Sequence, residues 1–380
     1  MAARRSDAAT LGVVHAGFAL TGVLHAIGGA LLPSIAQAFH LADRQSGLLF
    51  FLYFGGTALG ALLCVGRYAR LMAAGFAVVA AACLGIAHAD AVLLWPLFLV
   101  LGIGVGIPMS AVSMFAGRKF ADRSAAPLTF LNFSWSAGAL LAPLLAAQLL
   151  LRHTYRDAYL ALSVAALAAA VACWFVLEDP PVKLAPSTHS GLRNVGWIVL
   201  FSMLTFLEVG IENTTATWLA TYAMRGESVS AAGGAASSAL YWSGFLVSRG
   251  LFSLVLLRGD PRRVLRGAVV VAVIAAALLI AIPGAVERGF AMLALGAALA
   301  PVFPLMLARF FARAGNASDS RWVLSVCGFG GSVLPWITGW LSGSFGGLRI
   351  GLATVPAALT CILLLLPLAL GKDRVAQERA

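Results

Sequence analysis

The chain has 380 residues, of which 61% are hydrophobic and 11% charged, with a mean hydropathy of +0.93 and a net charge of +11. A soluble domain carries about 25% charged residues, so this composition excludes an ordinary soluble protein and predicts an integral membrane protein. The positive charges form short clusters between apolar runs, which argues against a nucleic-acid-binding face.

Twelve apolar segments have the length of a membrane-spanning helix. Such a helix needs roughly 20 mostly apolar residues, whereas the strands of a membrane barrel are shorter and alternate in hydrophobicity. The first segment follows Arg4 and Arg5, as in a signal peptide, but its apolar run continues to Leu32 and favours an uncleaved helix. The pattern predicts an all-α membrane protein with spans at 11–33, 45–66, 69–88, 92–117, 125–148, 157–177, 195–223, 235–257, 264–283, 289–312, 321–343 and 348–371.

The lysines and arginines are distributed unevenly between the two sides of these spans. With the N-terminus inside, 19 of them fall on cytoplasmic segments, six fall on outer segments, and Arg249 lies within a helix. Cytoplasmic loops are enriched in Lys and Arg, so the distribution predicts that both termini are cytoplasmic. The expected location is the inner (plasma) membrane of a bacterium, which the chain crosses several times.

A polar stretch separates six predicted spans from the six that follow. It predicts an N-terminal bundle over residues 1–177, a cytoplasmic central loop over 178–194 and a C-terminal bundle over 195–380. The fifth and eleventh spans carry similar glycine and proline patterns, from Gly138 to Pro143 and from Gly331 to Pro335. Such matching positions are typical of transporters built from two repeated halves.

The seventh span contains Glu208 and Glu212, the only acidic residues that we place at membrane depth. They are four residues apart, so both project from one face of the helix. A charge at this depth costs at least ~2.5 kcal/mol, which predicts that the face looks into a protein-lined cavity. Neighbouring carboxyl groups in a low-dielectric cavity are suited to taking up and releasing a proton. The alternative is a structural pair, neutralised by an arginine or by backbone groups.

Arg249 and His25 are further titratable side chains that we place well inside predicted spans. We expect Arg249 to form a gating or charge pair with Glu208 in at least one state; alternatively, its side chain reaches towards the headgroups or binds carbonyls at the helix end. We expect His25 to take part in proton coupling, by relaying a proton or donating a hydrogen bond. A lone histidine in an apolar helix is as often a structural residue.

Amide, hydroxyl and aromatic side chains at membrane depth predict a substrate site. Asn132 and Trp135 are three residues apart on one helix face, where an amide and a flat ring suit the hydroxyl edge and the C–H face of a sugar. Membrane tryptophans are otherwise often interfacial anchors. The predicted substrate-binding residues are Asn132, Trp135, Asn213, Thr217, Trp218, Tyr241 and Trp242.

Two sets of six spans joined by a polar loop resemble the major facilitator superfamily. The segment from Gly66 to Arg70 departs from that family's usual signature after the second helix, because it lacks an aspartate. Within the superfamily the chain is similar to the fucose–proton symporter-like sugar transporters, in Gly210-Ile211-Glu212 with Trp218 and in Ser248-Arg249. It differs from them in having His25 where they often have a polar or acidic pair.

These patterns predict a secondary active transporter, and not an enzyme. The expected substrate is a small polar solute, a monosaccharide in particular, carried in symport with protons by alternating access. Sodium is an alternative coupling ion, because carboxylate, amide and hydroxyl oxygens of the seventh span can also bind a cation. The alternative functions are proton-coupled efflux of amphipathic drugs or metabolites, and sensing without transport. We expect a monomer in the lipid bilayer, with no cofactor, no metal site and no nucleic-acid partner.

Overall fold

The computed structural model describes residues 2–119, 126–179, 195–255, 259–313 and 317–371. Every regular element in these ranges is a helix, which confirms the all-α prediction for this part of the chain. The helices are α1 Ala2–Ala38, α2 Asp43–Leu62, α3 Tyr68–His88, α4 Leu94–Lys119, α5 Ala126–Leu150, α6 Tyr155–Val176, α7 Val195–Glu227, α8 Ala231–Val255, α9 Pro261–Ala281, α10 Ala285–Leu299, α11 Val302–Arg313, α12 Ala317–Phe345, α13 Leu348–Gly351 and α14 Thr354–Leu370.

Ten helical stretches in the described ranges are long and apolar enough to cross a membrane. Two of them combine neighbouring elements, α10 with α11 and α13 with α14. Helices α8 and α12 are not among the ten. The predicted total of twelve spans counts these two as well, and it stays a prediction, as does the cytoplasmic position of the termini.

The tenth predicted span is not one continuous helix. Helix α10 ends at Leu299 and α11 begins at Val302, with Pro301 between them. Proline has no backbone N–H and its ring collides with the preceding helical turn, so a break at this position is expected. The span predicted over 289–312 is therefore present as a candidate span, and it is built from two helices. The last predicted span is likewise divided, into the four-residue α13 and the longer α14.

Several helix pairs join the first six helices to the later ones, among them α1 with α7, α2 with α12 and α5 with α8. At one end of the molecule α1 ends and α2 begins, and α7 and α12 end there too. We call it the Asp43 end, and the other the opposite end. In the predicted topology the Asp43 end faces the outside of the cell.

Within each half, glycines allow two helices to approach closely, and the helix pair is equivalent in the two halves. A Cβ atom at Gly138 of α5 would collide with the Ala19 carbonyl of α1, and one at Gly330 of α12 would collide with the Phe206 carbonyl of α7. In each half, the helix that contains the repeated glycine–proline pattern therefore packs against the helix that begins that half. The matching contacts agree with the duplication predicted from the sequence.

The segment that lacks the usual aspartate receives a carboxylate from elsewhere in the chain. Asp179, just after α6, accepts a hydrogen bond of 2.8 Å from the backbone N–H of Ala69 in the first turn of α3. The Arg70 guanidinium lies 3.8 Å from the centre of the Trp174 ring. These contacts fasten α3 to α6 at the opposite end. Most of the predicted central loop, residues 180–194, lies outside the described residues.

A matched pair of glycine substitutions tests the close approach of α1 and α5. Alanine in a helix is favoured over glycine by about 1 kcal/mol, but Gly138→Ala must push the Ala19 backbone aside, at a cost of about 1–3 kcal/mol. Gly267 of α9 has open space around its missing side chain, so Gly267→Ala meets no such cost. We expect the first variant to unfold at a lower temperature than the parent in detergent and the second to equal or exceed it. Equal midpoints for both variants would contradict the close packing.

Candidate functional site

The acidic pair of α7 lies inside the protein, as its helical spacing predicts. The side chain of Glu208 is fully buried and Glu212, one turn later, is partly buried. Two other polar side chains of α7 are satisfied locally, because the hydroxyls of Thr205 and Thr215 donate to backbone carbonyls of their own helix. By contrast, both carboxyl oxygens of Glu208 lack a hydrogen-bond partner among the described residues. A buried carboxyl group in this condition is unusual and points to a functional role.

Arg249 of α8 reaches across to the first half of the chain. Its Nη1 donates a hydrogen bond of 2.9 Å to the Ser136 hydroxyl and one of 3.4 Å to the Asn132 carbonyl, both on α5. Its guanidinium also lies 4.6 Å from the centre of the Phe245 ring. The expected ion pair between Arg249 and Glu208 is not formed in this structure, although the guanidinium is near enough to interact electrostatically with both glutamates. A pair in another state stays a prediction.

His25 lies at the centre of an aromatic cluster that joins the two halves. Its ring centre is 5.2 Å from that of Trp135 on α5 and 6.3 Å from that of Trp242 on α8. The two tryptophan rings are 5.9 Å apart, and Tyr241 packs against Trp242 at 5.0 Å. The structure thus brings together four side chains that the sequence predicts as functional, from α1, α5 and α8. We refer to His25, Trp135, Tyr241 and Trp242 as the central cluster.

The central cluster contains polar atoms that are buried without partners. Nε2 of His25, Nε1 of Trp135 and the hydroxyl of Tyr241 make no hydrogen bond within the described residues. The amide of Asn213 on α7 faces the His25 ring and packs against Gly331 of α12. Buried polar groups are nearly always hydrogen-bonded, so several orphaned ones in one place indicate a site for a polar ligand or for water.

The remaining predicted residues lie at the edges of this site or away from it. The side chain of Asn132 is exposed, and its backbone carbonyl is what contacts Arg249. Thr217 is buried where α7 packs closely against Gly29 of α1, and its hydroxyl has no partner in the described part of the chain. Trp218 is fully buried and donates a hydrogen bond of 3.0 Å to the Pro335 carbonyl. The structure therefore gives Trp218 a packing contact between α7 and α12.

A cavity of about 640 Å³ runs along the first half of α7, towards the opposite end. Its wall is almost entirely apolar, with one hydroxyl contributed by Ser202. Leu207, which lines it, is adjacent in sequence to Glu208, so the cavity extends to the depth of the acidic pair. The lining residues are Val195, Ile198, Val199, Ser202, Met203, Phe206, Leu207 and Val326.

Sequence reasoning missed two groups of residues. Ser136 accepts the shortest hydrogen bond from Arg249. It follows Trp135 directly and lies one turn after Asn132, and this position could have indicated that it belongs to the site. Asp43 and Arg225 form an ion pair between α2 and α7, at 2.7 Å. Each lies at the end of a predicted span, where a charge is ordinarily solvated, so no pattern in the sequence connects them.

Comparison with known proteins identifies the family. The family model of the Major Facilitator Superfamily matches residues 14–320, which is more than half of the chain. The chain belongs to the Major Facilitator Superfamily. It is therefore a transporter and not an enzyme, as the sequence patterns predict. No curated relative matches the sequence significantly.

Solved structures of several transporters share this fold over nearly the whole chain. A D-xylose–proton symporter has a TM-score of 0.78 at 14% identity, covering 94% of this chain and 96% of its own. A bacterial homologue of the human lysosomal transporter Spinster, inward-facing and occupied, has a TM-score of 0.70 at 15% identity, covering 95% and 94%. A variant of the E. coli fucose:proton symporter FucP has a TM-score of 0.65 at 16% identity, covering 96% and 99%. At these identities the likeness establishes the fold alone.

Replacing Trp218 by phenylalanine tests whether the hydrogen bond from this side chain to Pro335 stabilises the fold. The change keeps an aromatic ring but leaves the buried Pro335 carbonyl without its donor, at a cost of about 1–3 kcal/mol. We expect Trp218→Phe to lower the thermal unfolding midpoint of the purified transporter without any ligand. Trp340→Phe is the control, because Trp340 lies on the same helix as Pro335 and is 39% exposed. A midpoint equal to that of the control would indicate that the hydrogen bond contributes little.

Proposed function

We propose that this transporter moves a small polar solute in symport with protons, by alternating access, with a monosaccharide as the expected substrate. The observation that carries the proposal is the fully buried Glu208, which lacks a partner beside a cluster of orphaned polar atoms where the two halves meet. The proposed setting is the inner membrane of a bacterium.

The acidic pair of α7 is the proposed proton carrier. An ionised carboxyl group buried without a partner is strongly unfavourable, so Glu208 is expected to be protonated in this state. Glu212 is one turn away and partly exposed, which suits a group that exchanges protons with water. When α5 and α8 separate, Arg249 would leave Ser136 and become available to the ionised carboxylates. Release of the proton would then be coupled to the movement of the two halves.

The central cluster is the proposed substrate site in a more open state. Its rings would contact the C–H face of a sugar, and the donors and acceptors of His25, Trp135, Tyr241 and Asn213 would bind its hydroxyl groups. These side chains come from α1, α5, α7 and α8, so a bound solute would contact both halves. Two of the transporters with the same fold are sugar–proton symporters by name, which is consistent with this substrate class.

Proton movement in reconstituted vesicles tests the coupling. With a pH-sensitive dye inside the vesicles, we expect a transported sugar to change the internal pH in the parent protein. Glu208→Gln and Glu212→Gln should each reduce this signal at least about tenfold, because an amide carries no exchangeable acidic proton. Glu287→Gln is the matched control, since Glu287 is exposed in the first turn of α10. Solute uptake that needs sodium and moves no protons would overturn proton coupling.

Efflux of an amphipathic compound is a second candidate, favoured by the cavity along α7. Its lining is apolar over about 640 Å³ and reaches the level of Glu208, so an apolar body with one charged or polar group would fit it. The two candidates predict different binding residues. A sugar would depend on the central cluster, whereas an amphipathic compound would depend on the wall formed by α7.

Thermal stability of the purified protein with monosaccharides and lipophilic cations distinguishes the candidates. A ligand at about 100 times its dissociation constant adds roughly 2.7 kcal/mol to the folded state. We expect stabilisation by a sugar that is lost in Trp135→Phe and kept in Met203→Ser, because only the first variant removes a donor from the central cluster. Stabilisation by lipophilic cations alone, lost in Met203→Ser, would contradict the sugar proposal and support efflux.

A further inference from the structure

Three helices meet at one carboxylate at the Asp43 end. Asp43, the first residue of α2, accepts hydrogen bonds of 2.7 and 2.8 Å from the two terminal nitrogens of Arg225 near the end of α7. It also accepts a hydrogen bond of 2.5 Å from the hydroxyl of Ser342 near the end of α12. The Asp43 side chain is 10% exposed and that of Arg225 is 43% exposed. The bidentate, charge-assisted hydrogen bonds between Arg225 and Asp43 thus bind the first six helices to the later ones.

The acidic residue that follows Arg225 most closely has a partner of its own. Glu227, two residues after Arg225, lies 4.0 Å from Arg288 of α10, and both of these side chains are nearly buried. Arg288 also donates to the Gly226 carbonyl. Because Glu227 is engaged within the second half, it does not compete with Asp43 for Arg225.

The helices around this contact are packed too closely to admit a solute. A Cβ atom at Gly29 of α1 would collide with the Ala216 carbonyl of α7. A Cβ atom at Gly339 of α12 would lie 2.5 Å from the Asp43 carbonyl oxygen, and one at Gly47 would lie 3.2 Å from the Pro335 carbonyl oxygen. The seam between the two halves is therefore closed at the Asp43 end. Any opening of this end must break the contacts of Asp43.

We propose that Asp43, Arg225 and Ser342 form a latch that holds the Asp43 end of the transporter closed and breaks each time this end opens. Asp43 is on the first half, whereas its two partners are on the second. The ion pair is partly exposed, so its strength is moderate, which suits a contact that must form and break repeatedly. The latch is independent of the substrate and of the coupling ion. It rests on the alternating access proposed above, and on no other part of that proposal.

Thiol labelling of a buried position on the seam measures how often this end opens. Thr217→Cys places the reporter on α7 opposite Gly29, where the parent side chain is fully buried. Native Cys83 of α3, also fully buried, is kept as an internal measure of unfolding, and the other four cysteines are replaced. The rate of maleimide labelling at position 217 then reports opening without any substrate.

A reversible cross-link calibrates the reporter. A Cβ atom at Gly343 would lie 3.7 Å from that of Arg44, within the range of about 3.5–4.5 Å for a disulfide. Oxidation of Arg44→Cys with Gly343→Cys should join α2 to α12 and stop the labelling at position 217, and reduction should restore it. Labelling that continues after complete cross-linking would overturn the proposal, because the reporter would be reached without opening of this end.

Three variants then test the latch itself. Asp43→Asn and Arg225→Gln should each raise the labelling rate at position 217 at least fivefold and leave Cys83 unreactive, and Ser342→Ala should raise it less. The exchange Asp43→Arg with Arg225→Asp should lower the rate again, because it restores the ion pair in reverse.

Arg349→Gln is the matched control. Arg349 lies at the same end but donates only within the second half, to the Ile280 and Ala281 carbonyls. Its loss should change the labelling rate less than twofold. Rates in the Asp43 and Arg225 variants that stay within twofold of the parent would overturn the latch. A parallel rise at Cys83 would also overturn it, because the contact would then hold the fold together instead of closing one end.

Discussion

Hydrocarbon neither donates nor accepts hydrogen bonds, so each polar atom in a spanning helix must find a partner within the protein. Two hydroxyls of α7, those of Thr205 and Thr215, satisfy this constraint in the simplest way, by bonding to carbonyls of their own helix. Glu208 does not, because its carboxylate oxygens need a donor, which a backbone carbonyl is not, and no described neighbour supplies one. Three threonine hydroxyls of α7 also lack a partner in the described residues, and Glu208 differs from them in being able to carry a charge.

The two halves of the protein are joined in different ways along their length. At the Asp43 end, glycines bring helix backbones into contact and one carboxylate binds residues of two further helices. In the middle, aromatic rings of α1, α5 and α8 pack against one another. Towards the opposite end, Arg249 contacts α5 through a hydroxyl and a carbonyl. Backbone contacts resist separation more than side-chain contacts do, because side chains can change rotamer while helices must move as units.

Polar and apolar surfaces are kept apart within the same region. The orphaned atoms of the central cluster lie where α1, α5 and α8 meet, whereas the open space beside α7 has an apolar wall. The central cluster is closed in this state. The cavity along α7 is open, and its wall contains one hydroxyl, that of Ser202. A polar solute would therefore require rings such as Trp135 and Trp242 to separate, and that movement is also what would free Arg249 from Ser136. In the proposed mechanism, substrate binding and rearrangement of the charged residues would thus be linked by geometry.

The sequence by itself determined the helical membrane class, the positions of most helices and the acidic face of α7, because hydrophobic length and helical spacing are local properties. It also predicted His25, Trp135, Tyr241 and Trp242, which the fold brings into one cluster. Only the tertiary structure decided that Trp218 packs against Pro335, that Arg249 bonds to Ser136 and that Asp43 pairs with Arg225. These contacts join residues more than one hundred positions apart, and a charge at the end of a helix has the same local pattern whether water or another helix surrounds it.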